Sequence, residues 1–209
     1  MKKLVIIGSG GMGRVFYDLA RESAGYNKTF LIKGFLDDDL KALDCFGNFP
    51  PVIGQITDYT PEGDEVFICS IGSSIRKKCM EAIINKGGEF INLIHKTARL
   101  GTNIKLGKGN FIGAYTTIAA NASIGNYNFI QSYSIIGHDV EIGNWNRIDS
   151  HVVCIGGIKI ENEVMIHTSA VLNHDVIVES NSHIGACSFV TLKVEQGTTV
   201  YGNPARRLK

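Results

Sequence analysis

From Leu100 to Val190 a large apolar residue recurs at every sixth position. The series is Leu100, Leu106, Ile112, Ile118, Ile124, Ile130, Ile136, Ile142, Ile148, Cys154, Ile160, Ile166, Leu172, Val178, Ile184 and Val190, with Cys154 the only non-aliphatic member. A helix repeats at about 3.6 residues and a half-buried strand at 2, so a sustained period of six fits neither. It predicts a triangular parallel β-helix with three six-residue faces per coil. Ile94 begins the same register one step earlier. Two residues before the apolar position the side chain is often small or β-branched, as at Ala98, Thr116, Ala122, Ser134, Val140, Val152, Ala170 and Ser188, which suits a crowded axis; Asn110, Asn128 and Asn146 depart from that pattern. Gly107, Gly113, Gly125, Gly137, Gly143 and Gly185 directly follow the apolar residue and are expected at corners needing unusual backbone angles. With coils about 4.8 Å apart, roughly five of them make a prism on the order of 25 Å long.

The first ninety residues read differently. Lys3 to Ile7 is a continuous apolar run after its lysine, as in a buried parallel strand, and leads into Gly8-Ser9-Gly10-Gly11-Met12-Gly13. Val15, Phe16, Leu19 and Ala20 then recur at helical spacing, so the glycines lie between a strand and a helix N-terminus, where backbone N–H groups hold phosphate. Further strands are predicted at Phe30 to Leu36, ending on Asp37-Asp38-Asp39, and at Glu65 to Ser70, ending on Ile71-Gly72-Ser73-Ser74. A helix follows from Ile75 to Asn85, and Phe90 to His95 leads into the repeats. Fewer than a hundred residues are too few for a full dinucleotide fold, so a mononucleotide-sized α/β domain over residues 1–93 and a β-helix over 94–209 are expected.

Composition narrows the function classes. The chain has 209 residues, 44% of them hydrophobic, and a formal net charge of +1, which leaves no electrostatic footprint for nucleic acid. The apolar run after Met1-Lys2-Lys3 stops at Gly8, too short for a signal peptide, and no stretch reaches the length of a membrane span. Five cysteines with no C-x-x-C pair fit reduced thiols buried as small apolar residues in a cytoplasmic protein.

The chain resembles the left-handed β-helix (hexapeptide-repeat) acyltransferases, and within them the bacillosamine, perosamine and sialic-acid branch that carries a small Rossmann-like domain. The residues that carry the resemblance are Gly8-Ser9-Gly10-Gly11-Met12-Gly13-Arg14, Gly34-Phe35-Leu36-Asp37-Asp38, Ile71-Gly72-Ser73-Ser74-Ile75-Arg76-Lys77-Lys78, Asn92-Leu93-Ile94-His95-Lys96-Thr97-Ala98 and Gly202-Asn203-Pro204-Ala205-Arg206. The resemblance implies the left hand of the coil, a homotrimer, and acetyl-CoA-dependent acetylation of a nucleotide-linked amino deoxysugar destined for bacterial surface glycans. It further implies a nucleotide held by Gly8, Gly10, Gly11 and Gly72, with Asp37 and Asp38 on the base or ribose. Met12 departs from the histidine common in the family's glycine loop.

An acceptor amine must lose a proton as its nitrogen attacks the thioester, and imidazole suits that task. Of six histidines, His138 followed by Asp139 matches the family's catalytic His–acid pair in place, with the carboxylate orienting the ring. No metal and no serine or cysteine nucleophile is required. His174-Asp175 duplicates the pair thirty-six residues on, two coils up the same face and on the order of 10 Å away, and stays open as the alternative base. His183 follows His174 by the nine residues that in the family join the base to a second, interface histidine; after His138 that position is Arg147. Ile155 and Gly156 are expected beside acetyl-CoA in a groove between copies, with the Gly156 N–H on the developing oxyanion, and Arg206 near the coenzyme phosphates. Other readings are O-acetylation of a sugar hydroxyl, a non-catalytic sugar-nucleotide binder, and a γ-carbonic-anhydrase-like zinc protein using His138 and His174, in which Glu179 stands where the third histidine belongs.

Overall fold

The computed structural model describes residues 1–73 and 75–208; Ser74, within the Ile71-to-Lys78 motif, and the terminal Lys209 lie outside the described residues. Contacts divide the chain into two compact units, Met1–Lys96 and Thr97–Lys209.

The first unit is a five-stranded parallel sheet. In chain order its elements are β1 (Lys2–Ile7), α1 (Gly11–Arg21), β2 (Phe30–Leu36), β3 (Val52–Gly54), β4 (Glu65–Cys69), α2 (Arg76–Ile84) and β5 (Glu89–Phe90), and the strand order is β3-β2-β1-β4-β5. β1 lies in the middle, so Leu4, Val5, Ile6 and Ile7 lose all contact with water on both faces, which is why that run carries no alternation. Phe16 and Ala20 of α1 and Met80 and Ile83 of α2 are also wholly buried, each large side chain contributing about 1.5–3 kcal/mol by its removal from water. Val15, assigned to the apolar stripe of α1 by its spacing, is instead 48% exposed. The short β3 has no counterpart among the predicted strands, because three residues after Pro50-Pro51 are too few to show a period.

One polar cluster is built into this sheet. Glu65, 4% exposed, accepts hydrogen bonds from Lys33 Nζ, Tyr59 Oη and, at 2.8 Å, the Glu62 N–H. Burial pushes its carboxyl upward, but Lys33, Tyr59 and the Glu62 N–H outweigh that and hold it below the ordinary carboxylate value. Lys33 is raised correspondingly, chiefly by Glu65.

The second unit is the expected parallel β-helix. Each face is a stack of two-residue strands paired at intervals of eighteen residues: one runs from Arg99–Leu100 to Phe189–Val190, a second from Lys105–Leu106 to Ile177–Val178, and a third from Phe111–Ile112 to His183–Ile184, which then pairs sixteen residues on with the three-residue Thr199–Tyr201, closed by the antiparallel Arg206–Arg207. From Ile112 to Val190 every member of the six-residue series is at most 4% exposed.

Two features of the coil differ from the expectation. The left-handed corner residue stands three positions after the apolar one, at Asn103, Tyr115, Asn121, Tyr127, Tyr133, Asp139 and onward, with glycine there only at Gly109, Gly157 and Gly197. The glycines directly after the apolar residue have ordinary φ; they serve close approach, a Cβ on Gly137 falling 1.7 Å from the Ile155 carbonyl oxygen of the next coil. Second, Asn110, Asn128 and Asn146 are wholly buried like the small residues at that position. The side-chain oxygens of Asn110 and Asn128 accept the next asparagine's N–H at 2.8 and 2.9 Å, that of Asn146 accepts the Val164 N–H at 2.8 Å, and their amides donate to the carbonyls of Gly125, Gly143 and Glu161 at 2.8–2.9 Å. The ladder satisfies amides that would otherwise be stranded in the core.

Three of the cysteines depart from the all-buried expectation: Cys69 and Cys154 are buried, Cys79 is half-buried, and Cys45 and Cys187 are exposed; all five are free. No helix of the described residues is long and apolar enough to cross a membrane.

Candidate active site

In the first unit, β1, β2 and β4 end at the crevice where the strand order reverses, the place where open α/β sheets bind ligands. A cavity of about 370 Å³ opens there, lined by Gly8, Gly10, Gly11, Asp37, Asp38 and Gly72. Gly8 takes φ +92°, and a Cβ on Gly13 would fall 2.2 Å from the Gly8 carbonyl oxygen, so the glycines let α1 close onto the end of β1. Gly10 caps α1 with no side-chain hydrogen bond, which leaves the first-turn N–H groups to an anion. Met12, where the family commonly has histidine, joins Ile56, Ile71 and Ile75 in the apolar part of the lining.

The two aspartates do different things. Asp37 accepts the Ser9 N–H at 2.8 Å and the Ser9 hydroxyl at 2.7 Å on one oxygen and the Asp39 N–H at 3.1 Å on the other. It therefore straps the glycine loop to the end of β2. Asp38 accepts the Ile56 N–H on one oxygen at 3.2 Å. Ser9, the partner that ties Asp37 down, figures in the sequence only as a member of the glycine motif and not as a site residue, since its role depends on a contact across the sheet edge.

In the second unit the corner residues two positions after the apolar series stack as Thr102, Ala120, His138, Gly156 and His174. On a second corner the equivalent N–H groups are taken by a side chain of the following coil, Lys108 by Asn126, Asn126 by Asn144 and Asn144 by Asn162 at 2.8–3.0 Å, and on the third Ala114 is taken by Ser132 at 3.1 Å. On this corner the Gly156 N–H has no internal acceptor among the described residues. The imidazole of His138 lies against it, a Cβ on Gly156 coming within 2.6 Å of the ring's Cε1 and Nε2. Ile155 is half-buried, its N–H donating to the Leu172 carbonyl at 3.1 Å.

His138 Nδ1 stands 2.7 Å from Asp139 Oδ2, with 63% and 57% of the two side chains exposed. Asp139 Oδ1 accepts the Asn121 amide at 3.1 Å. His138, and after it Asn121, hold the Asp139 carboxyl below its ordinary value. Because an ionised carboxylate only accepts, Nδ1 of His138 is the donor in this pair, which in the neutral imidazole leaves the lone pair on Nε2.

His174 is nearer than coil spacing suggests, its ring centroid 6.5 Å from that of His138. Its aspartate is placed differently. Asp175 Oδ1 fills the space a side chain on Gly157 would occupy, 2.2 Å from that Cβ position, and among the described residues no hydrogen bond joins His174 to Asp175. Arg147 is bound to the buried Asp149 through Nε at 2.7 Å and a terminal nitrogen at 3.3 Å, and Asp149 also accepts from Gln131 and His167. Glu179 pairs with Lys193 at 2.7 Å, and among the described residues no group of three or more His, Cys, Asp or Glu side chains is placed to hold a metal. Arg206 is exposed on the closing strand and bonds the Ala205 carbonyl at 2.9 Å.

Residues 3–83 match the family model described as PglD N-terminal domain and residues 89–187 that described as GMPPB C-terminal domain. Uncharacterized protein L142 of Acanthamoeba polyphaga mimivirus is 36% identical over 90 residues, 43% of this chain and 18% of that protein. UDP-N-acetylbacillosamine N-acetyltransferase of Bacillus subtilis (strain 168) is 28% identical over 119 residues, 54% of this chain and 52% of that protein. The chain thus spans about half, or less, of the curated relatives it matches. Among solved structures, the acetyltransferase domain of PglB from Neisseria gonorrhoeae FA1090, also seen in complex with acetyl coenzyme A, superposes with a TM-score of 0.89 at 26% identity over all of both chains. PerB from Caulobacter crescentus, in complex with CoA and GDP-perosamine, superposes at 0.87 and 22% identity over 100% of this chain and 98% of its own, a likeness of fold. With three-sided coils of six-residue faces following a glycine-loop α/β unit in the chain, and these full-length likenesses, the chain is similar in fold and sequence to the hexapeptide-repeat, left-handed β-helix sugar acetyltransferases.

Proposed function

We propose that this protein transfers the acetyl group of acetyl-CoA to the amine of a nucleotide-linked amino deoxysugar, with His138 as general base. The observation that carries the reading is the exposed His138–Asp139 pair lying against Gly156, whose backbone N–H has no internal acceptor among the described residues. The amine lone pair attacks the thioester carbonyl carbon while His138 Nε2 takes the departing proton. Gly156 N–H donates to the oxygen as it becomes negative, an interaction commonly worth a few kcal/mol. Collapse of the tetrahedral intermediate restores the carbonyl and expels the CoA thiolate, which takes up the proton. Asp139 keeps Nδ1–H bound, so the ring presents the correct tautomer throughout.

The nucleotide half of the acceptor belongs to the glycine-loop cavity, its phosphates on the uncapped start of α1 and its ribose or base near Asp38. We further propose a cytoplasmic homotrimer with coenzyme between copies, Ile155 and Gly156 at its thioester and Arg206 toward its phosphates. In support, one face of the β-helix turns Ile135, Val153, Val171 and Phe189 outward in one register, an apolar stripe that a second copy would cover.

The test is incubation with acetyl-CoA and a panel of nucleotide-linked 3-amino and 4-amino deoxysugars, following thiol release and product mass. An N-acetylated amino sugar is expected, with His138→Asn inactive and still trimeric by light scattering. Thiol release only with hydroxyl acceptors would overturn the amine assignment, and an active His138→Asn would move the base to His174.

A further inference from the structure

Asn103, Asn121 and Asp139 occupy one corner of three successive coils, all in the left-handed region at φ 58°, 62° and 58°. Asparagine and aspartate tolerate that conformation, so the column has a purely backbone reason to exist. Its hydrogen bonds go further than that reason requires. Asn103 Nδ2 donates to Asn121 Oδ1 at 3.2 Å, Asn121 Nδ2 donates to Asp139 Oδ1 at 3.1 Å, and Asp139 Oδ2 faces His138 Nδ1 at 2.7 Å. The direction is dictated by the end of the chain: an ionised Asp139 can only accept, so the Asn121 amide must turn its nitrogen toward it and its oxygen toward Asn103. The next coil has Gly157 in the column, so among the described residues no side chain of that column holds the carboxylate from that side. At the duplicate pair the column residue one coil earlier is Gly157, which has no side chain to give that support, and there Asp175 sits in the space beside Gly157 with no bond to His174 among the described residues.

We propose that Asn121 is a positioning residue for acetyl transfer: by fixing one oxygen of Asp139 it keeps the other on His138 Nδ1 and so keeps Nε2 free as base. The inference rests on the assignment of His138 made above. The groups that face His138 are Asp139, the His174 ring at 6.5 Å, and Asp175 against Gly157, with Asn121 and Asn103 behind the carboxylate.

The experiment compares Asn121→Gly and Asn121→Asp with His138→Asn in thiol-release assays across pH, alongside thermal melts. Asn121→Gly keeps a residue suited to positive φ and removes only the amide; kcat is expected to fall about tenfold with the melting temperature unchanged. Asn121→Asp sets a second carboxylate beside the pair, which favours protonated imidazole, so the acid limb of the kcat profile is expected to move to higher pH by about half a unit or more. Wild-type kcat in Asn121→Gly, or an unmoved acid limb in Asn121→Asp, would overturn the proposal and leave Asn121 a corner residue. An active His138→Asn would instead strike the underlying assignment, and this proposal with it, so the two failures are told apart.

Discussion

The imidazole of His138 occupies the volume that a β-carbon on Gly156 would need, at 2.6 Å from both Cε1 and Nε2. Gly156 has no positive φ, so alanine suits its backbone, and the obstructing atoms are the end of a largely exposed side chain. Gly156→Ala should therefore fold normally while rotating the ring out of its place beside the N–H. We expect a melting temperature within about 2 °C of wild type and a kcat lower by about tenfold or more, read by calorimetry and thiol release. Unchanged kcat would show that the ring's position against Gly156 is immaterial to turnover.

Asn128 is the middle rung of the internal ladder, and truncating its side chain strands partners in two places, the Asn146 N–H and the Gly143 carbonyl, while Asn110 Oδ1 keeps the backbone N–H of residue 128. Asn128→Ala should lower stability by about 2–4 kcal/mol, because buried groups left unpaired cost more than the net value of the bonds they made. Urea denaturation of the two proteins gives the difference directly. Asn126, on the exterior ladder, lies closer to water, and its replacement by alanine should cost about 1 kcal/mol or less.

Glu65 makes the first unit sensitive to acid. Its carboxyl lies below the ordinary value in the folded protein, so the unfolded chain takes up its proton first as pH falls. The stabilisation is complete above the ordinary carboxylate range, near 4.5 and upward, and is lost as pH drops through the lower folded value. Wild type should exceed Glu65→Gln in denaturant midpoint at pH 7, with the gap closing toward pH 3. A constant gap across that range would assign the effect to packing alone.

Much of the architecture was legible because the β-helix places one interior side chain per face, so burial writes itself into the chain as a strict period. The strand at Phe30 to Leu36 coincides with β2, and the glycine run lies where strand and helix meet. Less legible were the corners. Glycines after the apolar position look like left-handed turns, yet the positive φ lies two residues later, on Tyr115, Asp139, Trp145 and their equivalents. A glycine selected because its neighbour's backbone comes too close looks the same in one dimension as one selected for its torsion angle.

The candidate site divides the same way. His138 beside Asp139 is a local pair and could be named from adjacent letters, as could the glycine loop and the aspartates after β2. Which neighbours these residues touch was decided by stacking: Asn121 on Asp139, Gly156 against His138, the His174 ring at 6.5 Å, Asp175 drawn into the space over Gly157, and Ser9 binding Asp37. The chain by itself determined the six-residue winding, the order of the two units and the chemistry available at each corner, because those follow from which side chains must leave water. Only the folded coils, which bring residues eighteen apart into van der Waals and hydrogen-bonding range, decided which histidine holds its carboxylate and which backbone N–H is left unpaired, because those depend on the side chain one layer away.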